Sequence, residues 1–549
     1  HGGQITKDKK ATQMQHRHEH PEVARAMRPW NFIFFLIYAA QKTTNNAEGI
    51  SKGSINRILK DPQSQGGFGL TPEKAGAFLT DTYLGWYIKA LFGLLTDNLP
   101  LFGYRRKSWL IITSLLTGIT WFWVAMNGTS LQALLVGLMI INIMVAFNDV
   151  VCDGLMVQTA QRFELQYKLP AGTVNRPFQA AMWSGAYVAL FISSIAGAVI
   201  AQFFEMRMAA VISGIVPLVL AIAVAFLVRE EKVAWDKERA KKGFIAIGVI
   251  IIVAFTILKL KDIPADNPVR PFEPIITAVI IITAMLLMVR IPKALLPPLI
   301  LVFFWQAAPF DSGTSYMYQY FTLLNTQFVD ALGNEGFILD AMRTFVVWLG
   351  IVDQATLQGE SFVELYWSGN LRSINALFAI FGALFYRRYL QSVPFGHLFA
   401  WCILAQGAVM ASFLLFSVGK VSDPGILMAI MAVEGAVFLI ATLAIFGYAA
   451  KRTPNTNQAS IFALFMGMYN LGQSMGRERV GGPIFTSFAD KATITIDGVT
   501  ETVLRNPDMG VTATVVISVA YLGLVYILVR YMVHKGHIMT HPEDAKEAY

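Results

Sequence analysis

The chain has 549 residues, of which 55% are hydrophobic and only 15% charged, and its mean hydropathy is +0.51. This composition excludes an ordinary soluble protein, because so apolar a chain cannot cover itself with a polar surface. The formal net charge of +8 would suggest nucleic acid in a soluble protein. Here, however, Lys and Arg gather in short loops between apolar segments, which is a topology signal of membrane proteins. We therefore expect the lipid bilayer as a partner and no nucleic acid.

Apolar segments of about 20 residues, enough to cross a bilayer, recur along the whole chain. They predict an all-α polytopic membrane protein whose principal spans lie at residues 29–50, 74–97, 108–127, 131–156, 177–203, 207–228, 295–324, 366–386, 395–418, 425–449, 459–486 and 510–533. Two further apolar runs, 244–259 and 273–289, predict an extra transmembrane hairpin between the sixth and seventh spans. The shortness of the first run leaves a helix on the membrane surface as the alternative.

The spans divide the chain into two six-helix halves, 29–228 and 295–533, joined at 229–294 by a charged linker and the extra hairpin. The short loops rich in Lys and Arg fall on one side if the spans alternate, and that side is expected to be cytoplasmic. The polar tails 1–28 and 534–549 are expected on the same side. This arrangement predicts a multi-pass protein of the cell (inner) membrane.

Three connecting segments have patterns of their own. Residues 229–243 predict a charged amphipathic helix that links the halves. The long segment after the seventh span predicts an external helix at 335–352. Residues 489–508, with alternating Thr and Ile, predict a small external hairpin.

Ionisable residues inside predicted spans are functional candidates, because a charge in lipid is costly. Lys89 lies eight residues before Asp97, about 12 Å along a helix, and therefore near mid-membrane. Its partner is either a substrate carboxylate or a carboxylate of the fourth span. On that span Asn142, Asp149 and Asp153 share one helical face, which must face the bundle interior or a watery cavity. Asp149, the deeper carboxylate, could take a proton or pair with Lys89, whereas Asp153 is expected to be solvated or to pair at a cytoplasmic gate.

The second half contributes two carboxylates near mid-membrane. Asp311 lies between Pro309, which removes a backbone donor, and Gly313, which loosens the helix, so we predict a broken helix there. A simple proline kink would explain Pro309 but not the carboxylate. Glu434, about nine residues into the tenth span, is in apolar surroundings that favour a neutral carboxylic acid. It suits proton coupling, or it holds two helices together beside Gly435, which permits close approach.

Polar residues also end the first span and interrupt the eleventh. Residues 41–48 predict either a cavity-lining helix end or a span that ends early. In the eleventh span, Arg477-Glu478-Arg479 could pair internally, meet external water or bind an anion.

The segment from Leu70 to Leu110 combines a span ending in a Lys-X-Leu-X-Gly-Leu-X-X-Asp pattern with a Gly-Tyr-Arg-Arg-Lys turn. This combination resembles the folate-biopterin transporter family of the major facilitator superfamily. Residues 148–160, 384–390 and 451–474 are similar to three further stretches of that family. The resemblance implies a major facilitator-type bundle with a central cavity and proton-linked movement of folates or pterins. A cytoplasmic gate is expected at Asp97, Arg105, Arg106 and Asp153.

The leading hypothesis is a proton-coupled secondary transporter of a small organic anion, of folate or pterin type, working by alternating access. Lys89 is expected to receive the anionic group, with Arg176 and the pair Arg477 and Arg479 as the next candidates. Asp311 and Glu434 are expected to include the proton-coupling group, with Asp149 next in line. The aromatic candidates for stacking on the substrate ring are Trp86, Tyr87, Trp183, Trp305 and Tyr316.

The alternative is a non-transporting assembly or delivery protein, which would use the bundle to bind a protein partner or a hydrophobic pigment and the extra hairpin as its docking surface. An enzyme is the least expected class, because the sequence has no Gly-rich phosphate loop and no Ser-His-Asp or Cys-His set. Cys152 and Cys402 both lie in apolar segments, which supports neither a disulfide framework nor a metal site. No cofactor is expected.

Overall fold

The protein was described from a computed structural model. It covers residues 21–61, 63, 66–169, 174–261, 263–264, 267–289, 291–314, 316–317, 320–321, 324, 344, 346–351, 363–390, 393–452, 458–496 and 499–538. These residues form a helical bundle with one two-stranded sheet. Most of the predicted external helix at 335–352 lies outside the described residues.

The first half consists of nine described helices: α1 Pro21–Thr44, α2 Lys52–Lys60, α3 Pro72–Thr82, α4 Leu84–Tyr87, α5 Lys89–Asn98, α6 Lys107–Asn127, α7 Leu131–Gln166, α8 Asn175–Phe203 and α9 Met206–Leu227. The predicted second span is therefore three consecutive pieces, α3 to α5. Its first piece begins with the Thr71 hydroxyl accepting the backbone N–H of Lys74 at 3.4 Å, a helix N-cap. The interruptions at Tyr83 and Ile88 place Lys89 at the first residue of α5.

The linker does not form the predicted amphipathic helix. Residues 228–236 are non-helical, and α10, Lys237–Lys261, begins only at the end of the charged segment. The Glu230 carboxylate accepts the backbone N–H groups of Arg106 and Lys107 at the start of α6. These donors have no partner within their own helix, so they compete successfully for the linker carboxylate.

The two extra apolar runs form helices that pack against each other. After α10, the chain turns and returns as α11, Glu273–Met288. Helix α10 also packs against α5, and α11 touches α17 of the second half. The inserted pair thus lies beside the boundary between the halves.

The second half consists of eight described helices: α12 Leu296–Gln306, α13 Val363–Phe385, α14 Phe395–Ser412, α15 Leu414–Ser417, α16 Pro424–Arg452, α17 Gln458–Gln473, α18 Gly481–Phe488 and α19 Asp508–His534. A π-helical turn, Ser474–Val480, separates α17 from α18. Strands β1, Asp490–Ile496, and β2, Val499–Asn506, pair antiparallel, which confirms the predicted small hairpin.

Two helix pairs bring the halves together. Helices α3 and α5 pack against the segment from α17 to α18, and α8 packs against α13. The approach is close: a Cβ atom on Gly467 would lie 2.9 Å from the carbonyl oxygen of Tyr87, a position at which only glycine fits without a shift. Eight of the described helices are individually long and apolar enough to cross a bilayer. The predicted second, seventh and eleventh spans are instead interrupted, which leaves polar backbone to line an interior space.

Candidate functional site

A cavity of about 390 Å³ lies between the two halves. The first half lines it with side chains from α1, α2, α3, α4, α7 and α8. The second half lines it with the chain break at 311–314 and with side chains from α13, α14, α16, α17 and the π-helical turn. A volume in this range accommodates a small organic molecule. We call the end of the cavity where α1 stops its far end.

The wall from the first half is built around two carboxylates on α7. Asp149 forms an ion pair with Lys89, and Asp153 accepts a hydrogen bond of 2.6 Å from the Tyr38 hydroxyl. Both carboxylates line the cavity, whereas Lys89 is fully buried and is not part of the lining. Its ammonium lies 4.8 Å from the centre of the Trp86 ring. The structure thus places Lys89 behind the wall as the counter-charge of Asp149.

The wall from the second half is built where the seventh span breaks. Helix α12 ends at Gln306. Arg477 of the π-helical turn contacts both this helix end and Asp311. One guanidinium nitrogen lies 2.6 Å from the Asp311 carboxylate, and another donates to the Gln306 amide oxygen at 2.6 Å. The Ser312 hydroxyl donates to Glu434 at 2.5 Å. The helix break at Asp311 and Ser312, the Arg477 side chain and the Glu434 carboxylate therefore form one polar cluster.

The predicted helix break at Asp311 is confirmed, and its backbone groups find other partners. Residues 307–314 are non-helical. The N–H of Phe310 donates to the Ser518 hydroxyl at 2.7 Å, and the N–H of Gly313 donates to the Asp311 carboxylate at 2.9 Å. These bonds replace the helical ladder that Pro309 interrupts, and they hold the carboxylate toward the cavity.

Two cations that sequence reasoning missed lie at the far end. Lys52, the first residue of α2, donates to the carbonyl oxygen of Gly313 at 3.3 Å. Arg372 of α13 donates to the carbonyl oxygen of Glu48 at 2.8 Å. Both contacts bridge the halves, and both side chains line the cavity. Arg372 lies inside a predicted span, so an intramembrane charge was available as the signal.

A second bridge between the halves involves the inserted pair of helices. Arg479 forms an ion pair with Asp81 of α3, and its other terminal nitrogen lies 3.9 Å from Glu273 at the start of α11. Glu273 is almost completely buried and accepts the Thr277 hydroxyl at 3.0 Å. Arg479 therefore connects both halves and the insertion.

The predicted aromatic residues divide into two groups. Trp86, Tyr87 and Trp183 line the cavity. Trp305 and Tyr316 are fully buried within the second half and are not among the lining residues. Only the first group is placed to touch a molecule in the cavity.

The predicted gate residues separate as well. Arg106 forms an ion pair with Asp97 and packs over Gly154, where a side chain would collide with the guanidinium. Arg105 is half-buried in the same turn. Asp153 lies on the cavity wall rather than in this turn, and the side chain of Arg176 lies outside the described part of the structure.

Comparisons with known proteins agree with this architecture. Residues 46–545 match the BT1 family. The chain is 26% identical over 498 residues to the folate-biopterin transporter of Synechocystis sp., covering 88% of this chain and 81% of that protein. It is 34% identical over 92 residues, 17% of this chain and 20% of the relative, to the putative folate transporter 2 of Plasmodium berghei.

Solved structures show the same fold. The structure of a POT family transporter in complex with 5-aminolevulinic acid is similar with a TM-score of 0.66 at 11% identity, covering 92% of this chain and 96% of that one. A variant of the nucleoside transporter NupG is similar with a TM-score of 0.53 at 15% identity, covering 92% of this chain and all of that one. The predicted fold class, an all-α polytopic membrane protein with a major facilitator-type bundle, is confirmed.

Proposed function

Because this chain belongs to the BT1 family and is a multi-pass membrane transporter rather than an enzyme, we propose that it carries a small organic anion of folate or pterin type. The curated relatives are named for folate and biopterin or for folate. The family favours transport over the alternative of a non-transporting assembly protein. Within this proposal the membrane is the cell (inner) membrane, with both termini cytoplasmic.

The observation that carries the proposal is the cavity of about 390 Å³ with walls from both halves. A site between two bundles opens to one side or the other when the bundles rock against each other, which is the basis of alternating access. At the far end, the contacts of Lys52 and Arg372 bridge the halves. These contacts must break for the cavity to open at that end.

Proton coupling is assigned to the polar cluster of the second half. Asp311 already has a guanidinium partner in Arg477. Glu434 is bonded instead to the neutral hydroxyl of Ser312 and the neutral amide of Asn375, at 2.5 and 3.3 Å. A partly buried carboxyl group held by neutral donors is the better acceptor for a transported proton, since removing an uncompensated charge from water is costly. Glu434 is therefore the proposed proton carrier, and Asp311 responds to its charge.

Alternating access also assigns a role to each part of the chain. Two six-helix halves, 29–228 and 295–533, move against each other, and the segment 229–294 joins them. The inserted helices α10 and α11 lie at the boundary of the halves, so they are proposed to cross the membrane and to travel with the first half through their packing on α5.

Uptake by purified protein in liposomes tests the proposal. With an inwardly directed proton gradient, the intact protein should accumulate folic acid, and Glu434→Gln should abolish that accumulation while folic acid exchange at equal pH persists. Asp311→Asn should weaken the gradient response, and Glu231→Gln, in the exposed linker, serves as the control. If both cavity variants keep full gradient-driven accumulation, the coupling group lies elsewhere, with Asp149 next in line. Absence of any uptake or exchange by the intact protein would refute folate transport.

A further inference from the structure

The far end of the cavity contains two cations whose recorded partners are uncharged. Lys52 donates to the carbonyl oxygen of Gly313, and Arg372 donates to the carbonyl oxygen of Glu48. Within the described part of the chain, neither cation has a carboxylate at ion-pair distance. Cations elsewhere around the cavity, such as Arg477, do have one. A carbonyl group solvates a cation but leaves its charge uncompensated, so this end retains positive charge.

A buried amide lines the same cavity, in the turn that follows α1. Asn46 lines the cavity, is only 1% exposed, and both of its side-chain polar atoms lack a hydrogen-bond partner among the described residues. Buried polar groups in folded proteins are almost always bonded, because leaving them unpaired loses their hydration without return. Asn46 is two residues from Glu48, whose carbonyl oxygen accepts from Arg372, and its amide nitrogen is suited to donate to an oxyanion.

Other charged groups around Lys52 do not remove the positive character of this end. Glu48 faces it from the end of the first span, Arg372 from α13, Asp311 from the helix break and Glu478 from the π-helical turn. Glu48 is already paired with a lysine, and Asp311 with an arginine. Glu48 and Asp311 are thus neutralised by other cations, which leaves Glu478 as the one further carboxylate named here against two cations.

From these contacts we infer that Lys52, Arg372 and Asn46 form a recognition site for a carboxylate group of the transported molecule. The inference rests on the proposed function and specifies how the substrate is oriented in the cavity. Its anionic group lies at the far end, and its ring lies toward Trp86 and Trp183. Arginine supplies a planar fork that matches the two carboxylate oxygens, and the ammonium and the amide supply further donors.

Such a site also connects ligand binding with closure of the far end. Lys52 belongs to the first half and Arg372 to the second, and with no anion between them their charges repel each other. A carboxylate bonded to both replaces this repulsion with attraction. The ligand then binds the closed far end more tightly than the open one, which is the differential affinity that a conformational shift requires.

Binding to the purified protein separates this site from the rest of the cavity. Folic acid carries two carboxylates on its glutamate, whereas biopterin carries none. Lys52→Gln and Arg372→Gln should each lower the affinity for folic acid about tenfold or more, as expected for loss of a charge-assisted hydrogen bond, and leave biopterin affinity unchanged. Arg57→Gln, on the same helix α2 but outside the cavity lining, should change neither. If the Lys52→Gln and Arg372→Gln variants bind folic acid as tightly as the intact protein does, the inference is overturned.

Two further measurements cover the cases in which a variant fails to fold or the protein does not bind folic acid. Lys52→Arg retains the charge and should retain folic acid binding, while a thermal unfolding profile of each ligand-free variant reports on folding. If the intact protein binds neither folic acid nor biopterin, the proposed substrate is wrong, and glutarate then tests the carboxylate site alone. Stabilisation by glutarate that disappears in Lys52→Gln and Arg372→Gln supports the site. Stabilisation that is absent, or that persists in both variants, overturns it.

Discussion

Removing one member of the Lys89–Asp149 pair should destabilise the protein far more than replacing both members. Lys89 is fully buried and Asp149 is 8% exposed, so Lys89→Met leaves a buried carboxylate with no counter-charge. Breaking a buried ion pair in this way costs about 3–5 kcal/mol, whereas replacing both partners by apolar residues is often neutral or stabilising. We therefore expect Lys89→Met/Asp149→Leu to be close to the intact protein in stability.

The expected difference is large enough to measure by thermal unfolding in detergent. A loss of 1 kcal/mol lowers Tm by about 2–4 °C in a unit of 150–250 residues, so the loss of about 3 kcal/mol predicts a fall of roughly 6–12 °C for Lys89→Met. The double-mutant cycle should give a coupling energy of at least 1 kcal/mol, in the range found for residues in contact.

The same variants decide what Lys89 does in transport. If it is the counter-charge of Asp149, the double variant keeps binding folic acid, because the proposed anion site at Lys52 and Arg372 is untouched. Two results would refute this reasoning. One is a single variant as stable as the double variant, and the other is a stable double variant that no longer binds folic acid. The second result would restore Lys89 as the chief anion-recognising residue, as the sequence suggests.

Three further outcomes are expected. Single cysteines at Asn267 and Lys241 should react with impermeant reagents from opposite sides of the membrane, because α10 is proposed to cross between them. Both native cysteines are buried, and labelling of both positions from one side would exclude the crossing. Burial and a neighbouring arginine lower the pKa of Lys52 to about 7, so its ammonium is present below pH 7 and lost above it. Glutarate affinity should therefore fall between pH 6 and 8 in calorimetric titrations, and Lys52→Arg should remove this dependence. Gly435→Ala should lower the free energy of unfolding by about 1–3 kcal/mol, because the added Cβ would collide with the backbone of α13. Gly407→Ala adds a Cβ in open space and should leave the thermal unfolding unchanged.

Several features could be predicted because their causes are local in the sequence. The break around Asp311 follows from the missing N–H of Pro309, whatever the rest of the fold does. The small strand pair at 490–506 follows from alternating residues around a turn. By contrast, residues 229–236 have the composition of a helix but are non-helical, because Glu230 is taken by the unpaired N–H groups at the start of α6. That partner lies more than 120 residues away in the chain.

The sequence alone determined the membrane class, the helical architecture and the candidate ionisable residues, because the bilayer imposes length and polarity on every segment that crosses it. Only the tertiary structure decided which of these charges face the cavity. The interruption at Ile88 and the packing of α5 turn Lys89 to Asp149 and away from the cavity. Lys52 and Arg372 meet at its far end although about 320 residues separate them. A helix's rotation about its axis, and the partners of its polar side chains, are set by packing against distant segments, which local patterns do not contain.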